Sequence, residues 1–140
     1  SDAFDKVDTA TAAWLKGDTT AAQLPTADWS VHEWLHFLNN LPRDLSQEHM
    51  VELDSEFNLT QSTNAERAFA WFMLAVGNGY QPIYPALDKH LSGIGRRKLI
   101  VPLYKSLITN GKKEWAQSVY LKARPGYHPL AQGTIDALFE

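Results

Sequence analysis

Two histidines spaced for a shared helix face are the first feature of this 140-residue sequence that could perform chemistry. His32, Glu33 and His36 match the pattern H-E-x-x-H, in which two imidazoles bind zinc and the glutamate polarises a water molecule. A catalytic zinc also needs a third protein ligand. Peptidases with this pattern take that ligand from a glutamate further along the chain, and the corresponding position here is Ser55, with Glu56 one residue out of register.

The residues around this match favour a structural role instead. Ser30 and Glu33 have the spacing of a capping box, which gives the glutamate a local partner. The apolar stripe of the same helix comprises Val31, Trp34, Leu35, Leu38 and Leu41. At 100° per residue, His32 and His36 lie on the order of 110–150° from the centre of the face formed by Val31, Trp34, Leu35 and Leu38, toward solvent. We therefore predict that His32, Glu33 and His36 match the pattern by chance and hold no metal.

A run of three cations, Arg96, Arg97 and Lys98, is the second chemical candidate, and it follows Gly93 and Gly95. It belongs to a strongly asymmetric charge distribution. Residues 1–88 carry 13 acidic and 4 basic side chains, whereas residues 89–124 carry nine basic side chains and one acidic side chain. This asymmetry predicts that the second half faces an anionic group, or the acidic part of its own or a neighbouring domain.

Helices must position both candidates, because apolar side chains recur at helical spacing through nearly the whole chain. Gly17, Pro42, Gly77, Gly111 and Pro125 interrupt the pattern where helices are expected to end. About eight helices joined by short links predict an all-α fold, a layered antiparallel helix array or α–α superhelix of the ARM/HEAT type. No internal boundary is visible, so we expect residues 1–140 to form a single domain.

Several local features of this array are also predicted. Thr63 and Glu66 have the spacing of a second capping box. The segment 68–76 that follows is apolar nearly all round and is expected at the centre of the core. In the preceding segment, Val51 is expected on the buried face, and His128 is expected to cap the last helix.

The composition of the chain excludes several kinds of site. The chain has no cysteine, which excludes disulfides, thiolate metal sites and a cysteine nucleophile. No apolar run approaches the ~18 residues of a membrane span, and no secretory signal is visible. We therefore expect a protein of the cytoplasm with no membrane partner. Because the chain begins with Ser1 rather than Met, we also expect it to be a piece of a longer polypeptide.

The cationic stretch carries a family resemblance. Gly95-Arg96-Arg97-Lys98, followed by Pro102-Leu103-Tyr104-Lys105, resembles the C-terminal helical domain of M1 zinc aminopeptidases of the leukotriene A4 hydrolase and aminopeptidase B branch. Further matches occur in the expected order along the chain: Phe57-Asn58-Leu59, Glu66, Trp71, Pro85-Ala86-Leu87 and His128-Pro129.

The resemblance implies that catalysis and binding of the substrate's end belong to different domains of one enzyme. The catalytic zinc of such enzymes, with its own H-E-x-x-H helix, belongs to a preceding domain that this chain lacks. The present domain is then non-catalytic, needs no cofactor and closes one side of the substrate channel. In the family the arginine of G-R-x-K binds the carboxylate of the peptide substrate, with the lysine beside it. Carried over, these residues are Arg96 and Lys98, and the partners are the enzyme's own catalytic domain and the peptide.

Geometry adds one condition to this assignment. Residues i and i+2 point about 200° apart in a regular helix. Arg96 and Lys98 can therefore serve one pocket only if the backbone there is a turn or the first coil of a helix. Pro102 favours that arrangement if it lies in a first helical turn, where proline is tolerated. For Arg97 and Lys105 we expect an ordinary solvated face.

Two alternatives remain open from the sequence. The first is a stand-alone helical-repeat module that binds an acidic partner. A pI near 5.9 and the lack of aromatic residues among the three cations argue against nucleic acid as that partner. The second alternative is a small metallopeptidase that uses His32 and His36.

Overall fold

Helices form nearly all of the regular structure in the computed structural model, which describes residues 2–140. Ser1, the first residue of the predicted domain, lies outside the described residues. The α-helices are α1 (Asp2–Leu15), α2 (Val31–Asn39), α3 (Gln47–Phe57), α4 (Ala65–Gly77), α5 (Tyr84–Gly93), α6 (Arg97–Thr109), α7 (Lys113–Ala123) and α8 (Pro129–Leu138). Within residues 2–140 there are eight α-helices and no strand, which confirms the predicted all-α array. None of these helices has the length and hydrophobicity needed to cross a bilayer.

The helices pack in two layers of alternate elements. In one layer α2 contacts α4, α4 contacts α6, and α6 contacts α8; α1, at the start of the chain, packs against its neighbour α2. In the other layer α5 contacts α7. Short links between consecutive helices reverse the chain direction, so that helices two apart in sequence lie side by side. This is the arrangement expected of an α–α superhelix.

Helix α4 occupies the centre of the core, as its sequence predicts. It packs between α2 and α6. Trp71, Phe72 and Ala75 are at most 2% exposed. A polar network also ties this helix to the loop before it: Trp71 Nε1 donates to Thr60 Oγ1 at 3.0 Å, and Thr60 Oγ1 donates to Asp54 at 2.6 Å. The fold thus fixes the first turns of α4 against its neighbours.

The buried faces of α2 and α3 differ from those predicted. Val31 and Val51 are 42% and 50% exposed, so their predicted burial is wrong. Phe37, which the predicted stripe omits, is 1% exposed. The reason is packing on the flank of α2, where the rings of Trp14 and Trp29 lie 6.1 and 5.1 Å from that of Phe37. A helix covered from two sides buries more than the single stripe that its periodicity indicates.

The second predicted capping box is also wrong. Asn64, not Thr63, is the N-cap residue of α4, and its Oδ1 accepts a hydrogen bond from Arg67 N at 2.8 Å. Asparagine binds the free amides of a first helical turn as well as threonine does, and here it stands one residue closer to the helix. Because the cap does not use Glu66, that carboxylate is available to a neighbouring helix.

Candidate functional site

The predicted cationic turn lies between α5 and α6. Helix α5 ends at Gly93 and α6 begins at Arg97, which leaves a link of three residues, Ile94 to Arg96. Arg96 is the N-cap residue of α6 and has extended backbone angles, φ −75° and ψ 118°. Lys98 lies in the first turn of that helix. The condition that the backbone at Arg96 and Lys98 be a turn or the first coil of a helix is therefore met.

Pro102 has a different position from the one predicted. It is inside α6, in the second turn, so the expectation that it lies in a first turn is wrong. Proline has no N–H, so the carbonyl of Lys98 lacks its usual intrahelical donor. Val101 and Leu103 on either side are buried, and this packing keeps the segment helical despite the lost hydrogen bond. The turn at Arg96 thus exists without help from the proline.

The cations of this region have different surroundings. Arg96 is exposed, and its guanidinium makes no hydrogen bond or ion pair with any residue of the described range 2–140. Lys98 Nζ lies 3.8 Å from Glu66 Oε1 in an ion pair at the surface. Arg97 and Lys105 are exposed, as predicted. Arg97 also donates a hydrogen bond to Thr134 Oγ1 of α8. Arg96 is therefore the cation with its guanidinium available to a ligand.

The N-terminus of α6 has an unusual charge arrangement. Its first turn contains no acidic residue, and no side chain caps it. The free amide N–H groups of a first turn carry partial positive charge, which acidic side chains normally complement. Here two arginines and a lysine stand at that end instead. A bound anion would supply the missing negative charge and accept hydrogen bonds from these groups.

The first turns of three parallel helices meet at one edge of the layer. Glu66 and Lys98 pair across the first turns of α4 and α6. The guanidinium of Arg67 lies over the ring of Trp34, 5.1 Å from its centroid, and joins the first turns of α4 and α2. Partial positive charge from all three helix ends therefore gathers at the edge that carries the cationic turn.

His90 connects the two helices that flank the link. Its Nε2 lies 3.3 Å from the carbonyl oxygen of Leu99 in α6, and it donates to that oxygen in the tautomer with a proton on Nε2. Burial lowers the pKa of His90 below its usual value, which favours the neutral imidazole. No pattern in the sequence indicates this role, because the contact depends on how α5 packs against α6.

Two tyrosines hold the other side of the same link. Tyr127 OH donates to the carbonyl oxygen of Leu91, near the end of α5. The hydroxyls of Tyr127 and Tyr104 are 3.0 Å apart, and Tyr104 belongs to α6. Together with the contact from His90, this network fixes α5 to α6 just before and just after the link. The backbone that presents Arg96 is thus attached to the core at both ends.

The H-E-x-x-H residues have internal partners. Ser30 Oγ accepts from Glu33 N at 3.3 Å, and Glu33 Oε2 accepts from Ser30 N at 3.0 Å, so the predicted capping box is confirmed. His32 is exposed, as predicted. The glutamate that would polarise a zinc-bound water is therefore hydrogen-bonded to the backbone of its own helix end.

His36 does not point into solvent, and that part of the prediction is wrong. Helix α1 covers it: its ring stacks on Phe4 with centroids 4.2 Å apart, and its Nε2 lies 2.7 Å from Asp8 Oδ1. The side chain is 21% exposed. Across residues 2–140, no three side chains of the types His, Cys, Asp or Glu are grouped as metal ligands.

Fold and site together define a two-layer helical domain with a cation-rich edge. The sequence profile described as leukotriene A4 hydrolase, C-terminal, matches residues 29–139. The chain belongs to this family, which confirms the resemblance.

Individual relatives agree with this family assignment. The chain is 27% identical over 126 residues to leucine aminopeptidase 2 of Neurospora crassa, a match that covers 88% of this chain and 19% of that protein. It is 28% identical over 108 residues to leukotriene A-4 hydrolase of Xenopus laevis, covering 75% and 18%. The chain thus spans about a fifth of the length of these relatives.

A solved structure has the same fold. The structure of native yeast leukotriene A4 hydrolase superposes with a TM-score of 0.72 at 22% sequence identity. The match covers 98% of this chain and 24% of the yeast chain. Nearly all of the described helical array therefore has a counterpart within a much longer polypeptide.

Proposed function

We propose that this chain is the C-terminal, non-catalytic domain of a zinc-dependent M1 aminopeptidase, where it closes one side of the substrate channel and binds the peptide's C-terminal carboxylate through Arg96 and Lys98. The observation that carries the proposal is the exposed, unpaired guanidinium of Arg96 at the uncapped, cation-rich start of α6. Family membership and the short span relative to the named relatives support the role of a domain within a longer enzyme.

The chemistry of the turn suits a terminal carboxylate. A guanidinium offers two parallel N–H groups that match both carboxylate oxygens, and an ammonium adds a point charge in support. The first-turn amides of α6 add partial positive charge on the same side. This arrangement binds and orients a peptide without breaking a bond. A peptide held at its far end is positioned for cleavage elsewhere, which raises the rate of hydrolysis.

Hydrolysis itself belongs, in this proposal, to a separate domain that holds the zinc. Glu33 and His36 support that division because both are already bonded within the domain. The partners are then the enzyme's own catalytic domain and the peptide substrate, and the domain takes no cofactor. A cytoplasmic location remains a prediction from the sequence.

The test compares peptides with and without a free carboxylate in the full-length enzyme. Arg96→Ala is expected to lower kcat/KM about 10²-fold for a tripeptide with a free C-terminus, because the peptide loses its orienting contact. The same tripeptide with an amidated C-terminus, and an aminoacyl anilide, should change little. Lys105→Ala, which removes an exposed cation from the same helix, is the matched control and should leave both substrates unaffected. An equal loss on acid and amide would contradict the assigned role.

A further inference from the structure

A cleft beside Lys98 has no role in the arrangement described so far. It opens between α2, α4 and α6 and has a volume of about 230 Å³. Leu35 and Phe69 form its half-buried walls, and Ala70 and Leu99, each 3% exposed, form its floor. The interior of the cleft is therefore apolar, although it adjoins the most cationic part of the surface.

Its rim is polar and incompletely bonded. Lys98 and Glu66 pair at 3.8 Å on one side. Asn39 lies on the other side and is exposed. Its side-chain amide makes no hydrogen bond to any residue in the described part of the chain. A cleft with apolar walls and a few polar groups at its mouth is the usual form of a small-ligand site.

We infer that this cleft receives the side chain of the peptide's C-terminal residue and selects apolar side chains of leucine or methionine size. The inference rests on the proposed function. The carboxylate and the side chain of a C-terminal residue leave the same Cα atom. A carboxylate bound at Lys98 therefore places that side chain at the mouth of the cleft, since the lysine itself forms part of the rim.

Size and charge set the expected order of preference. A leucine side chain displaces water from the surfaces of Leu35 and Phe69, whereas a C-terminal glycine leaves them wet. An aspartate side chain would bring a second carboxylate close to Glu66 and is disfavoured by repulsion between like charges. Peptides ending in leucine should therefore be cleaved faster than those ending in glycine, and those ending in aspartate slowest.

The experiment measures this order in the full-length aminopeptidase with three tripeptides, alanyl-alanyl-leucine, alanyl-alanyl-glycine and alanyl-alanyl-aspartate. We expect roughly a tenfold difference in kcat/KM between the first two, the range of discrimination that small apolar pockets achieve. Leu35→Gln should bring this ratio close to one, and Leu35→Met should keep it. Leu121→Ala, an exposed apolar residue of α7, is the matched control and should leave the ratio unchanged.

A second variant tests the cleft at an exposed position, in case Leu35→Gln fails to fold. Asn39→Tyr fills the mouth of the cleft from an exposed position without touching the core, and it should reduce cleavage of the leucine peptide more than that of the glycine peptide. Thermal unfolding of each variant shows whether it is folded.

The outcomes separate this inference from the proposed function. If the leucine-to-glycine ratio stays constant in both cleft variants while Arg96→Ala still discriminates acid from amide, the cleft assignment is overturned and the carboxylate site stands. If Arg96→Ala fails to discriminate acid from amide, the proposed function falls, and the cleft assignment falls with it.

Discussion

Helices α2 and α6 both carry side chains that could perform chemistry, and they differ in how far the fold itself satisfies those side chains. In α2, Glu33 of the first turn is bonded to Ser30, and His36 of the last turn is bonded to Asp8. At the start of α6, the guanidinium of Arg96 has no partner among the described residues, and none of their side chains caps the helix. The H-E-x-x-H residues match a catalytic pattern more closely than the cations do, yet Glu33 and His36 are the ones bonded within the fold.

A ligand is to be expected at the helix whose charged groups lack partners. A helix end with its own cap and ion partners gains little from an added group. A helix end with cations and free amides is locally unfavourable, and such departures from local rules concentrate at functional sites. The comparison therefore assigns binding to α6 and structural support to α2, and the following substitutions are designed to test that division.

The largest effect is expected from Arg96→Asp in α6. In the full-length enzyme this change should lower kcat/KM for free-acid tripeptides by more than about 10²-fold, because it replaces the orienting cation by a repelling anion. The same change should raise the free energy of unfolding by about 0.5–1 kcal/mol, because aspartate caps the helix and complements its dipole. Kinetics and urea unfolding measure the two effects. A variant that is both less active and less stable would contradict the comparison.

An intermediate effect is expected from His36→Ala in α2. Loss of the stacked ring and of the hydrogen bond to Asp8 should lower the free energy of unfolding by about 1–2 kcal/mol. Arg96→Ala, by contrast, should change stability by less than about 0.5 kcal/mol, as is usual at an exposed position. Urea unfolding of the 140-residue chain checks both values, and metal analysis of the same samples checks for zinc. Stoichiometric zinc that disappears with His36→Ala would reverse the roles of the two helix ends.

The smallest effect is expected at His90, which supports the cationic turn, and it is a pH dependence of the domain's stability. Burial lowers the pKa of His90 below 6.5. The unfolded chain then takes up a proton at a higher pH than the folded chain does. The stability associated with the neutral imidazole is complete above pH 6.5 and declines as the pH falls through that value.

His90→Gln tests this dependence. It keeps an N–H donor for the carbonyl of Leu99 but does not titrate, so the fall in Tm between pH 7.5 and pH 5 should be smaller than in the unaltered chain by a few degrees. His32→Gln removes an exposed imidazole and serves as the control, with an unchanged fall in Tm. Equal pH dependence of Tm in the His90 variant and the unaltered chain would exclude His90 as its source.

Much of the fold could be predicted from the sequence, because strong local signals agree with the packing. The box at Ser30 lies directly before an amphipathic run, and His128 precedes Pro129 at the start of α8, where its Nδ1 accepts from Leu130 N. The apolar segment of α4 could lie only in the centre of the core. At each of these positions, the local sequence and the tertiary structure require the same conformation.

The errors arise where a neighbouring helix decides the outcome. Phe37 and His36 are covered by α1, a contact that the periodicity of α2 cannot indicate. Pro102 is held inside α6 by the burial of its neighbours, against its own propensity. For the candidate site, sequence and resemblance predict Arg96 and Lys98, which stay a prediction, and they gave no sign of the cleft, because its walls come from three helices that are distant in the chain.

The three-residue link between α5 and α6 has a consequence for how tightly a ligand can be held. Tyr127 and His90 fix the helices on either side of it, and the link has few conformations left to lose. Ordering a long loop on binding subtracts conformational entropy from the affinity, whereas here that ordering is completed when the domain folds. In the proposed role the cationic turn is therefore a rigid binding site, and the freedom lost on binding is mainly that of the peptide and of the arginine side chain.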